Sequence, residues 1–437
     1  MRFSARSAAE ACGGRLGGDD VALDGASFDS RTLRPGELFV PLVAERDGHD
    51  FIPAALAAGA PAYLTAGPTA GTATAIVVPD TAAALTALGR WARDRLADGI
   101  GPRAVGITGS VGKTSVKDLA AAAVAARWRV AANPRSFNNE QGLPITLLGA
   151  PDDSEALILE MGMRGPGEIR QLCDVARPSI GVVTLVAPAH TERVGGIDGV
   201  ARAKAELVEA LPADGIAILN AGDPRVMAMA DRTAARVLTF GGPDSGADVA
   251  VADLRLDEGA RPSFTARTPW GDAAVSLGVP GAHMATNAAA ALAVALACDV
   301  ALDAATARLA GAGLSPWRMD LGRSPTGVIV LNDAYNANPT SMRAALQALA
   351  ALSGGRRVAV LGLMAELDEP EPAHRAIARE AQELGIEIVV VGTDLYGVVP
   401  ADDPLAVLGA LSEGDAVLVK GSRVAGLEVI AARLLEL

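Results

Sequence analysis

Short apolar runs recur along this chain, each followed by a turn and then by an Ala-rich or amphipathic stretch. In the middle of the chain the runs 104–107, 156–160, 180–185, 216–219 and 237–240 read as strands, and the stretches 114–126, 167–176, 198–211 and 224–231 as helices. Strands that are apolar on both sides, alternating with helices, predict a parallel sheet covered on both faces. An irregular stretch, 248–279, reads as antiparallel, and a helix over 282–298 follows it. The alternation resumes with strands at 328–332, 357–361, 387–391 and 416–419 and helices at 340–352, 372–384 and 424–435. Near the start, a strand at 38–42, a helix at 52–58, a strand at 75–78 and a helix at 81–97 precede a Gly/Pro linker at 99–102, while the Ala/Gly/Thr run 65–74 reads as loop. No internal repeat is evident. The pattern predicts an α/β protein of three domains: a small α/β domain over 1–101, a central parallel-sheet domain over 102–314, and a Rossmann-like α/β domain over 315–437.

Composition narrows this picture. Half the residues are hydrophobic and only 3% aromatic, so the cores must be Ala, Val and Leu. A net charge of −13 argues against non-specific binding to nucleic acid or to an anionic membrane. The uncharged stretch 281–298 is too short and too polar to span a bilayer, and residues 1–14 lack the apolar core of a signal peptide. Cys12, Cys173 and Cys298 have no metal-like spacing and suit a reducing compartment as small buried residues, so a cytoplasmic protein is expected. Of 38 basic residues only Lys113, Lys117, Lys204 and Lys420 are lysine. Where lysine persists in such a chain, chemistry that a guanidinium cannot perform becomes the first thing to look for. Lys117, one turn after Lys113, is a caution, since it could be no more than a solvated helix position.

The sharpest motif is Gly106-Ile-Thr-Gly-Ser-Val-Gly-Lys-Thr-Ser115, between a strand and a helix. A glycine loop feeding a helix N-terminus holds polyphosphate with converging backbone N–H groups and the helix dipole. Lys113 would reach the β/γ-phosphates and Thr114 would meet Mg²⁺. Glycines at 106, 109 and 112, with Ile107 six residues before the lysine, make this a variant of the usual loop. Glu160 ends a strand where a carboxylate could meet a metal or simply be solvated. His190 follows a strand and a turn; a lone histidine is more often structural. Lys204, on an amphipathic helix, is either a surface lysine or a reactive amine. Asn138 and Asn139 could hold a carbonyl or phosphate, or form a turn. In the stretch 332–339, Asn-Asp-Ala-Tyr-Asn-Ala-Asn-Pro, a helix cap needs one polar residue and the surplus suggests a ligand.

Assembled in order, these stretches resemble the Mur ligases over essentially the whole chain. The matching motifs are DSRT at 29–32, GHDF at 48–51, TGSVGKTS at 108–115, NNEQGLPITLL at 138–148, EMG at 160–162, PAHTERVGG at 188–196, ARAKAE at 201–206, NDAYNANPTSM at 332–342 and VKGSR at 419–423. The subgroup most like it adds D-alanyl-D-alanine to UDP-N-acetylmuramoyl-tripeptide in peptidoglycan precursor synthesis. The resemblance implies ATP and Mg²⁺ as cofactors and an acyl-phosphate mechanism, with a UDP-binding first domain and a last domain that closes over ATP. It implies phosphate and metal roles for Gly109, Ser110, Gly112, Lys113, Thr114 and Ser115, metal contacts at Glu160 and His190, and a carbamylated Lys204 beside a second metal. Asn287, Arg318, Asp333 and Tyr335 would meet the nucleotide, Ser30 and Arg31 the UDP end, and Asn138, Asn139, Asn336 and Asn338 the substrates. A monomer with no membrane insertion is expected. Leu363 stands where the subgroup usually has Asp, Met284 follows His283 in place of Asn or Gln, and Ala205 replaces a frequent Gly. A related ligase joining another amine to another carboxylate, or a non-catalytic nucleotide-binding protein, are the alternatives; Lys113, Glu160, His190 and Lys204 together weigh against the latter.

Overall fold

With few aromatic side chains to fill space, the core is built mainly of Ala, Val and Leu. A computed structural model describes residues 1–134, 136–188 and 194–437. The contacts group into two compact units.

The first unit holds Met1–Gly106, Trp128–Met163 and Gly167–Ser179. Its five-stranded sheet runs Arg15–Gly17, Thr74–Val77, Ala62–Thr65, Leu38–Phe39, Ala26–Ser27, antiparallel only at the first pair. Phe39 and Tyr63, both buried, fill its core with Leu33, Ile52 and Ala55. Helix Thr81–Arg95 starts where the Asp80 carboxylate accepts from the N–H groups of Ala82 and Ala83. It meets helix Gly142–Gly149 at Gly89, where a Cβ would stand 2.8 Å from the Pro144 ring. The expected linker 99–102 is shorter than its Gly/Pro content suggests: Ala97–Ile100 is a helical turn anchored by the fully buried Ile100. A parallel pair, Val130–Ala132 and Ala156–Glu160, also belongs to this unit.

The second unit holds Ile107–Arg127, Arg164–Pro166 and Ile180–Leu437. Strands Ile180–Val183, Ile216–Asn220, Arg236–Gly241 and Val249–Leu256 are parallel neighbours, and Pro262–Thr268 and Gly271–Ser276 extend them antiparallel, as the irregular stretch predicted. Helix His283–Ala297 packs on helix Lys113–Val124, its buried positions almost all Ala, Leu and Val. Lys117 is 2% exposed and ion-paired with Asp118 at 2.9 Å, so the solvated-position reading is the one the structure overturns: this side of the Ala-rich helix is covered. A separate sheet runs Asp320–Arg323, Ile329–Asn332, Ala416–Lys420, Arg357–Leu361, Glu387–Val390, parallel except at its first strand. The last helix, expected from 424, begins at Glu428, because Gly426 at φ +63° ends a 3₁₀ turn before it.

Candidate active site

The glycine spacing has a steric cause. Gly109 takes φ +147°, and a Cβ there would stand 1.8 Å from Thr184 Oγ1. Gly112, at φ +86°, caps helix Lys113–Val124 from the left-handed region, and a Cβ would come within 3.0 Å of Asn287 Oδ1. The loop is fastened to the end of the neighbouring strand. Thr184 Oγ1 donates to the Val111 carbonyl at 2.6 Å, the Ser110 N–H to Leu185 O at 2.7 Å, and Ser110 Oγ to Ala187 O at 2.9 Å while accepting from Ala187 N–H at 3.0 Å. Asn220 Nδ2 donates to Thr184 O at 2.7 Å, and Asp223 Oδ2 accepts from Val186 N–H at 2.7 Å. Thr184, Asn220 and Asp223 carry no motif of their own, and sequence reasoning missed them. The first helical bond is Val116 N–H to Gly112 O, so the N–H groups of Lys113, Thr114 and Ser115 lie ahead of the helical ladder. Lys113 Nζ folds back onto the carbonyls of Gly109, at 2.7 Å, and Ser110, at 3.4 Å. The loop is therefore a fixed, positively polarised cradle.

Lys204 lies on helix Gly196–Glu209 and is 4% exposed. A surface lysine is excluded. Burial, and after it the charge of Lys113, pushes its amine well below the ordinary lysine range. That shift favours the neutral amine, the nucleophilic form, over the ammonium.

In the first unit, Glu160 ends its strand 1% exposed, so it is no solvated strand end. Its Oε1 accepts from Asn138 Nδ2 at 2.7 Å, and its N–H donates to Asn133 Oδ1 at 2.6 Å. Asn139 Oδ1 accepts from Gly142 N–H at 2.9 Å and leads into a helix rather than an open turn. The Phe28 and Phe137 rings meet at a tilt with centroids 5.5 Å apart, bringing the segment of Ser30 and Arg31 beside that of Asn138. Arg31 is exposed and clasps Asp29 with two bonds, at 2.9 and 2.7 Å, and so holds that carboxyl below its usual range. Ser30 is half-buried in the turn between them.

The remaining candidates gather in the second unit. The Arg318 guanidinium lies 4.1 Å from the Tyr335 ring centroid, and its buried Nε has no hydrogen-bond partner among the described residues. Trp317 and Met319, on either side, take φ +62° and +52°. Asp333 Oδ1 accepts from Met319 N–H at 3.1 Å, and Oδ2 is ion-paired with Lys420. His283 is near enough to feel both charges, yet burial dominates and pushes its imidazole down to about 4. Asn338 caps helix Pro339–Ala351 by accepting from Ser341 N–H at 2.9 Å, and Asn336 Oδ1 accepts from Ala337 N–H at 2.8 Å. The polar surplus of this stretch thus divides between a cap and the Arg318 cluster. His190 lies outside the described residues. Among the described residues no three His, Cys, Asp or Glu side chains form a metal site. The Thr114 hydroxyl and Glu160 carboxylate are hard oxygen donors of the kind Mg²⁺ takes, each in its own unit.

Comparison with known proteins now has a geometry to meet. The Mur ligase middle domain matches residues 107–295, and the Mur ligase glutamate ligase domain matches residues 317–423. A UDP-N-acetylmuramoyl-tripeptide–D-alanyl-D-alanine ligase of Mycobacterium tuberculosis is 42% identical, covering 92% of this chain and 90% of its own. MurF from Acinetobacter baumannii superposes with a TM-score of 0.87 at 27% identity, covering 100% of this chain and 99% of its own. The MurF ligase of Thermotoga maritima, solved in complex with ADP, gives 0.80 at 27% identity, over 94% of this chain and 97% of its own.

Proposed function

This chain belongs to the Mur ligase family, and from that premise we propose that it is the ATP-dependent ligase that joins D-alanyl-D-alanine to UDP-N-acetylmuramoyl-tripeptide in peptidoglycan precursor synthesis. The observation that carries the reading is likeness at full length: 42% identity over 92% of the chain to a relative of that name. The glycine loop supports the ATP chemistry. The γ-phosphoryl passes to the terminal carboxylate of the tripeptide, giving an acyl phosphate. The dipeptide amine attacks its carbonyl, and phosphate leaves from the tetrahedral intermediate as the amide forms.

Two anions must meet in the first step. Lys113 and the N–H groups at the start of its helix offset that repulsion, with Gly109, Ser110, Gly112, Thr114 and Ser115 shaping the cradle. Thr114, Glu160, His190 and a carbamylated Lys204 would hold Mg²⁺, which when bound neutralises phosphate charge. Asn287, Arg318, Asp333 and Tyr335 take the nucleoside and phosphates, and Ser30 and Arg31 the UDP end. Asn138, Asn139, Asn336 and Asn338 border the peptide substrates. The domain limits we assign are 1–101 for the UDP substrate, 102–314 for ATP and 315–437 for closure over it. Among the described residues no helix is long and apolar enough to cross a membrane, and we place the enzyme in the cytoplasm as a monomer. Phosphate release from ATP with UDP-muramoyl-tripeptide, with and without D-alanyl-D-alanine, tests the reading. Release that accelerates with the dipeptide and yields the UDP-pentapeptide is expected; indifference to the dipeptide, with turnover on another amine, would assign a different ligase.

A further inference from the structure

The motif Val419-Lys420-Gly421-Ser422-Arg423 has no part in the roles assigned above, yet its polar side chains turn to one place. Lys420, 1% exposed, ends strand Ala416–Lys420 and directs Nζ to the Asp333 carboxylate, to Asn336 O at 2.8 Å and to Asp333 O at 3.4 Å. Ser422 Oγ donates to Ala337 O at 3.3 Å and accepts from Ala365 N–H at 2.9 Å. The Arg423 guanidinium lies 4.5 Å from the Trp317 ring centroid, and the Trp317 carbonyl accepts from Tyr335 N–H at 3.2 Å. Gly421 gives the strand end room to lie here, since a Cβ would stand 2.9 Å from Leu427 Cδ1.

What these contacts hold is the backbone that carries Arg318, Asp333 and Tyr335. Arg318 sits between two non-glycine residues at positive φ, a conformation that persists only where its surroundings over-determine it. Its buried Nε, without a partner among the described residues, is a donor kept in place for an acceptor from outside them. The residue type at 420 fits the task. Three acceptors converge on one point, which suits the diverging donors of an ammonium and not a planar guanidinium, in a chain that otherwise uses arginine for nearly every positive charge. A buried ammonium also needs a counter-charge, and the Asp333 carboxylate provides it.

We infer that Lys420, Ser422 and Arg423 form a brace: positioning residues that set Arg318, Asp333 and Tyr335 for the nucleotide while touching neither the nucleotide nor the amine substrate. The inference rests on the reading that those three residues meet ATP. It is tested with the full-length enzyme carrying Lys420→Met, Arg423→Gln, Asp333→Asn or Lys420→Met with Asp333→Asn. Affinity for Mg²⁺ and an imido analogue of ATP is measured by calorimetry, and KM for ATP, UDP-tripeptide and D-alanyl-D-alanine by phosphate release. Lys420→Met should weaken the nucleotide about tenfold or more, and Arg423→Gln severalfold, with both other KM values moving less than about twofold. The double variant should be no weaker than Asp333→Asn alone. A rise in the dipeptide KM with nucleotide affinity intact would make the motif an amine contact and overturn the brace, as would no change in any constant. Should Lys420→Met fail to fold, Arg423→Gln decides, because its side chain is half exposed. If Asp333→Asn leaves nucleotide affinity unchanged, the underlying reading fails; if it weakens affinity and neither brace variant does, only the brace fails.

Discussion

Three of the four lysines, Lys117, Lys204 and Lys420, are at most 4% exposed. An amine is out of water there for a reason, because burying an unpaired charge is costly. For Lys204 the reason we assign is carbamylation: the neutral amine attacks the CO₂ carbon, releases a proton to solvent and becomes a carbamate, whose carboxylate is a hard oxygen donor. Lys204→Ala should lower turnover at least about a hundredfold, the scale for losing one preorganised charge at a transferring phosphoryl. Lys204→Arg should be as inactive, and a short carboxylic acid should restore part of the Ala variant's rate; an active Arg variant would end the assignment. Stability should move the other way. Folding lowers this amine's proton affinity, so an unmodified Lys204 destabilises the fold at neutral pH and ceases to do so only above the ordinary lysine pKa of 10.5. Lys204→Met should therefore melt no lower at pH 7 than wild type depleted of CO₂ so that Lys204 is unmodified, and a clear drop in its melting temperature below that reference would contradict the buried, depressed amine.

At the scale of elements, the glycine loop is a cradle because Thr184, Ser110 and Asn220 leave it one conformation. Gly109→Ala should abolish that conformation, given its φ of +147° and a Cβ 1.8 Å from Thr184 Oγ1. A cost of about 1–3 kcal/mol in stability and a loss of ATP turnover of about a hundredfold or more is expected, read by thermal melts and phosphate release. Near-normal turnover would mean that the loop has slack. The alternation of strands and helices was legible because strands covered on both faces are continuous apolar runs. Helix Gly142–Gly149 was not: it is apolar all round, so it shows no helical period, and Pro144 reads as a breaker although it sits in the first turn. Strand Asp320–Arg323 is an edge strand with little apolar content, and helix Leu302–Leu309 is short. In the candidate site, motif residues were legible while the residues that fasten them were not. Thr184 and Asp223 act through backbone groups brought near by the fold, and no spacing in the chain announces that.

At the scale of the whole molecule, a chain of net charge −13 is asked to handle two anions, ATP and a UDP-sugar peptide, and a dipeptide that carries a carboxylate. Its overall field does not favour them, so local groups must: Lys113 and its helix N-terminus, and the Arg318 cluster with its brace. The account's central claim is that these groups serve one event, phosphoryl transfer to a carboxylate oxygen. That event leaves an atomic record, because the oxygen accepting the phosphoryl group becomes the bridge of the acyl phosphate and departs with phosphate when the amine attacks. The most direct measurement uses UDP-muramoyl-tripeptide with ¹⁸O in its terminal carboxylate, turned over with ATP and D-alanyl-D-alanine and analysed by mass spectrometry. The account predicts one labelled oxygen in each released phosphate and one retained in the new amide carbonyl. Phosphate free of label, with the amide nonetheless formed, would contradict it.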